Sequence, residues 1–124
     1  MSPLELSNRL LDFAARIAKV VDSLPDTRLG RHIGGQMLRS GTSPVANYEE
    51  GCAAESKADF AHKLSICLKE LRETNVWLRL IVRSELLPRE RLAELIDESE
   101  QLGRIIGQSV ATAKGVSRSR QTSN

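Results

Sequence analysis

The chain has 124 residues and a formal net charge of +2, enough for one domain with its own core. Aromatic residues make up only 3%, so aliphatic side chains must fill that core. No apolar run approaches the ~20 residues of a membrane span, and no basic run followed by an apolar core marks a leader, so the expected setting is the cytoplasm.

The near-neutral total hides a pattern. Residues 1–48 carry six basic and four acidic side chains, residues 49–100 carry eight and twelve, and residues 101–124 carry four and none. Cys52 and Cys67 are too few and too close for a secreted disulfide framework. Both fall at apolar positions of a helical repeat, so both are expected as reduced, buried thiols.

Helix one is written in Leu6, Leu10, Phe13, Ile17, Val20 and Leu24, spaced alternately four and three. Ser2-Pro3-Leu4-Glu5 opens it as a capping box with proline in the first turn, and Pro25-Asp26 stops it. Helix two starts near Asp26 or Thr27, with Ile33, Met37, Gly41, Val45, Tyr48 and Cys52 on one face. Within it, the stretch Arg39–Gly51 is small, polar and interrupted by Pro44. Either one helix bends there, or it stops at Gly41 and restarts with Ser43 as cap. The inward period stays in phase across Pro44, which favours one bent helix, and Gly41 leaves room for a neighbour to come close.

Ser56-Lys57-Ala58-Asp59 caps helix three, which runs to about Leu86 with Phe60, Leu64, Leu68, Leu71, Leu78 and Val82 inward. Pro88 opens helix four, whose inward set is Leu92, Leu95, Ile96, Leu102, Ile106 and Val110. Residues 1–114 therefore read as an all-α domain, an antiparallel up-down-up-down four-helix bundle with short connections. Residues 115–124 have no apolar period and read as a disordered basic tail.

Helix three carries a second apolar stripe. Ile66, Trp77 and Leu80 fall away from its inward arc, with Glu70 and Glu73 beside them. Such a stripe predicts an interface between copies of the chain. Arg39, on the outer side of helix two, is the expected partner of a carboxylate across that boundary.

Catalytic patterns are weak. His32 and His62 are thirty residues apart, and neither follows a glutamate in a Glu-x-x-His pattern. Glu49 and Glu50 are adjacent and point to different helix faces. Gly34-Gly35 follows a helical start, not a strand, so it is no phosphate loop. The expectation is a protein with no cofactor, no metal and no reaction of its own. Basic residues offer a second reading. Arg28, Arg31 and His32 lie with Arg39 on the outer side of helix two, Lys69, Arg72, Arg79 and Arg83 on the flank of helix three, and Lys114, Arg118 and Arg120 toward the C-terminus. They would contact RNA or DNA phosphates without sequence choice, since no aromatic interleaves them.

Two blocks carry a family resemblance. The first is Arg39-Ser40-Gly41-Thr42-Ser43 with Ala46-Asn47-Tyr48 and Glu50-Gly51. The second is Phe60, Lys63-Leu64, Ile66, Leu68-Lys69-Glu70, Glu73 and Trp77-Leu78. Over about residues 5–113 the chain resembles the four-helix-bundle family of 23S ribosomal RNA intervening-sequence proteins. That superfamily includes the accessory variability protein of diversity-generating retroelements. The resemblance implies a ring-like homopentamer and no catalysis. It also implies, from the accessory group, a nucleic-acid partner and a protein partner encoded nearby. The chain departs from that group in its near-neutral charge and acidic fourth helix.

Overall fold

Hydroxyl caps set three of the four helix starts. In a computed structural model, which describes residues 1–115, Ser2 accepts from the Glu5 amide, Thr27 from the Gly30 amide and Ser56 from the Asp59 amide. The helices are α1 (Pro3–Ser23), α2 (Arg28–Cys52), α3 (Lys57–Arg83) and α4 (Arg89–Lys114), and the described residues contain no strand. Pro88 caps α4 without a side-chain bond, one position earlier than a helical proline would stand. The α3 helix ends sooner than its apolar pattern suggests. Glu85 turns into the left-handed region (φ 58°), and the Leu86 amide reaches back to the Ile81 carbonyl.

Contacts pair the helices in opposite senses. Ser7 meets Glu49 and Ile17 meets Gly41 between α1 and α2. Arg39 meets Glu70 and Lys63 meets Glu50 between α2 and α3. Arg9 meets Glu98 and Arg91 meets Ser23 between α1 and α4. The arrangement is the antiparallel up-down-up-down bundle that the spacing predicts. Its interior is aliphatic around Phe13, with Leu10, Ile17, Ile33, Met37 and Leu64 fully enclosed. Polar groups bridge the α1–α4 seam: Arg9 grips Glu98 through Nε and Nη2, both at 2.7 Å, and reaches Gln101 at 2.9 Å.

The polar run Arg39–Gly51 turns out to be the packing block of α2. The helix runs through Pro44 without a break, and Pro44 is buried. A Cβ on Gly41 would stand 2.6 Å from Ile17 Cγ2, so α1 lies against bare backbone there. One residue earlier, Ser40 is fully buried and meets the equally buried Thr74 of α3, Oγ to Oγ1 at 2.8 Å. Thr74 Oγ1 also lies 2.8 Å from the Glu70 carbonyl. Small side chains here let two neighbouring helices come close, and the hydroxyls satisfy each other where they meet.

Two stability tests follow. Gly41→Ala must push on the branched Ile17 side chain, so it should destabilise the fold by about 1–3 kcal/mol less any helix-propensity gain. Gly35→Ala meets nothing within 4 Å and should be neutral or stabilising; denaturant melts of the two variants should separate clearly. Thr74→Val should cost about 1–3 kcal/mol by leaving the Ser40 hydroxyl poorly paired, and adding Ser40→Ala should recover part of that loss.

Candidate functional site

The α2–α3 face contains the predicted interface residues, with two corrections. Arg39 does find its carboxylates, but within the chain: Nη1 donates to Glu70 Oε2 at 2.8 Å and Nη2 to Glu73 Oε2. Trp77 does not stand bare on an outer stripe. It is half-buried and packs against its own core, its Nε1 donates to Glu73 at 3.0 Å, and its ring meets His32 of α2 edge-on at 5.8 Å. Leu80 packs on the same core, and Ile66 is half-buried. The physical reason lies in α3's rotation. Cys67, Thr74 and Ile81 are buried, which turns the interior face toward Trp77. Phe60, Leu68 and Val82 consequently sit half-buried at its edge.

The α3–α4 seam gathers more of the chain's cations. Leu71, Arg72, Asn75, Val76, Arg79, Ser99, Glu100, Gly103, Arg104 and Gly107 line a groove of about 460 Å³. A second groove of about 320 Å³ adjoins it at Val76 and Arg79 and adds Arg83 and Arg89. Asn75 joins the two helices: its Nδ2 donates to Ser99 Oγ at 2.8 Å while its Oδ1 accepts from Arg79 Nε at 2.8 Å. Among the described residues, Arg72, Arg79, Arg83, Arg89 and Arg104 have no carboxylate partner. Arg72, Arg79 and Arg83 of the expected α3 stripe line one or both of these grooves, and Lys69 does not. Arg89 and Arg104 were missed because α4 reads as acidic overall, although Arg104 is three residues from the groove-lining Gly107.

The other candidate cations scatter. Arg28 and Lys69 are exposed away from both grooves, and Arg31 pairs with Asp26 at 2.7 Å. Lys114 lies in the last turn of α4, which ends on Gly115 in the left-handed conformation. Arg118, Arg120 and the expected tail beyond Gly115 lie outside the described residues. The described residues contain no His/Cys/Asp/Glu group able to hold a metal ion, and no helix long and apolar enough to cross a membrane.

The 23S rRNA-intervening sequence protein family matches residues 3–108. The chain belongs to that family. A search of curated proteins found no match. Among solved structures, the chain is similar to a protein of unknown function from the S23 ribosomal protein family of Bacteroides thetaiotaomicron VPI-5482. The two are 35% identical, the match covers 85% of this chain and 97% of that one, and the TM-score is 0.79. The resemblance to this family read from the two sequence blocks is therefore correct, and both blocks lie within the matched span.

The two thiols differ. Cys67 is fully buried, and burial pushes its thiol up to about 12. Cys52 is exposed, against expectation, because α2 ends at that residue and its last inward position is Gly51, packed on Leu64. Tyr48 is also shifted upward, by burial first and by hydrogen bonding to Cys52 second. A thiol reagent at neutral pH should modify Cys52 in the native protein and Cys67 only after unfolding. The stability that Cys67 contributes as a neutral group should be fully present below pH 9 and lost progressively as pH rises toward 12, where the unfolded chain ionises more readily. Thermal melts across that alkaline range would show it.

Proposed function

We propose that this intervening-sequence protein is a non-enzymatic module that assembles with copies of itself, as a five-membered ring on the family resemblance, and serves as a scaffold for other molecules. One observation carries the reading. The core is closed, yet Leu4 (71% exposed), Leu11 (55%), Val76 (48%), Leu38 (42%) and Leu29 (40%) remain in solvent. Leu4 and Leu11 lie about 20° apart on the outer face of α1, a paired apolar surface with no partner in the protomer. A ring needs two different faces on each subunit, since its contacts are head-to-tail. The α1 outer face and the α2–α3 face around Ile66, Trp77 and Leu80 supply two, Arg39, Glu70 and Glu73 forming the polar rim of the second.

A second reading is an accessory role in binding RNA or DNA. The specific observation favouring it is the group of arginines without carboxylate partners along the α3–α4 seam.

Size-exclusion with light scattering tests the first reading. Wild type should run as an oligomer, and Leu4→Glu with Leu11→Glu should lower its mass while leaving the protomer's melt within about 0.5 kcal/mol. Trp77→Ala should also weaken assembly, and it should cost the protomer less than the ~3–5 kcal/mol of a fully buried tryptophan. A monomeric wild type at micromolar concentration would end the proposal. A Trp77→Ala protein of unchanged mass would remove the α2–α3 face from the interface.

A further inference from the structure

We propose that the groove between α3 and α4 holds the sugar–phosphate backbone of single-stranded RNA. The inference rests on the nucleic-acid reading above and assigns its site. Arg72, Arg79 and Arg83 on α3 face Arg89 and Arg104 on α4 across two adjoining hollows, with Glu100 as the one carboxylate in the lining. On the other seams the arrangement is different: Arg9, Arg39 and Lys63 are each taken up by a glutamate. Like charges repel, so five unpaired guanidiniums along one seam oppose folding slightly and favour any polyanion laid along it. Arg72 to Arg83 spans about 17 Å at 1.5 Å per helical residue, a row suited to a chain of repeating charges more than to one small anion.

The central cation is held in place before any ligand arrives. Arg79 is anchored through Nε by Asn75 Oδ1, and Asn75 is in turn tied to Ser99, a hydroxyl only 2% exposed that donates to the Ile96 carbonyl at 2.6 Å. Among the described residues, the two terminal nitrogens of Arg79 make no bond, which leaves the fork that guanidinium uses on phosphate. No aromatic residue lines either groove, so bases would not stack, and contact would be with the backbone and indifferent to sequence.

Glu100 decides between the candidate polyanions. A carboxylate inside a phosphate groove repels its ligand unless the ligand brings a donor. The ribose 2′-hydroxyl is such a donor, and deoxyribose lacks it. Glu100 Oε2 accepts from Asn75 Nδ2 at 3.4 Å and lines the same groove as Arg79, so a sugar next to a phosphate bound there would come within its reach.

Fluorescence anisotropy with labelled oligouridylate over a salt series tests this on the full chain. Wild type should bind with an affinity that falls with salt. Arg79→Ala should reduce the slope of log affinity against log salt by about 0.7, the loss of one phosphate contact, and Arg79→Glu should weaken binding by about tenfold or more. Glu100→Gln should bring the affinities for oligouridylate and oligodeoxyuridylate together. Arg28→Ala with Arg31→Ala, on another face, should change little, and circular dichroism melts should show every variant folded. No binding by wild type would end the nucleic-acid reading itself. Binding by wild type that survives Arg79→Glu, or that is lost on deleting residues 116–124 and not on changing the groove, would overturn the groove assignment alone. Displacement of the RNA by polyglutamate at equal charge would assign the groove to an acidic protein partner instead, and a groove variant that loses oligomer mass while keeping RNA affinity would make it a subunit contact.

Discussion

The contact on which the rest of the bundle depends is the close crossing of α2 at Ser40 and Gly41. At Gly41 the backbone of α2 lies against Ile17 of α1 with no Cβ between them. At Ser40 it meets Thr74 of α3 through a buried hydroxyl pair. A helix bearing leucines at these positions would be held further from both neighbours, and the interior would need larger side chains than this aromatic-poor chain possesses. The Ser40–Thr74 pair also sets how α3 is turned about its own axis. Once Thr74 faces inward, Trp77 falls toward α2, where it meets His32 while bonding Glu73 of its own helix, and Arg72 and Arg79 fall toward α4. The position of one hydroxyl thereby determines which residues of α3 are available on each side.

That dependence explains what could be read in the sequence and what could not. Helix number, order and starts follow from local signals: three hydroxyl caps, the alternating four-and-three spacing, and short connections that force antiparallel neighbours. Gly41's role was legible too, because a glycine on an apolar face has few other uses. The rotation of α3 was not. Hydrophobic spacing treats Thr74 as polar and therefore outward, and it cannot see that Ser40, thirty-four residues earlier, makes Thr74 acceptable inside. With Thr74 discounted, the inward arc shifts to Phe60, Leu68 and Val82, and Trp77 is left apparently stranded. The error about Cys52 has a simpler cause. A period says nothing about where a helix stops, and Cys52 is its last residue.

Charge shows the same division between composition and placement. A net charge of +2 and an acidic fourth helix suggest a surface with little attraction for polyanions. The folded chain instead sorts its charges by seam. Glu98 of α4 turns toward α1 and holds Arg9 in a two-point bond; the hydrogen bond to Glu98, with its charge, raises the Arg9 guanidinium further above its ordinary value against the opposing effect of burial. Glutamates of α3 turn toward α2 and hold Arg39, the Glu70 side chain being only 12% exposed. Each such pair is close to neutral, and solvent ions screen what remains of its field within about 10 Å. What remains on the α3–α4 side is the excess cation that the whole-chain sum conceals. The same acidic residues that lower the net charge thus leave five arginines, among the described residues, without a carboxylate partner along this one seam. In an oligomer of identical protomers that seam would recur once per subunit, so a contact too weak to matter singly would be multiplied by the assembly on which the proposed function depends.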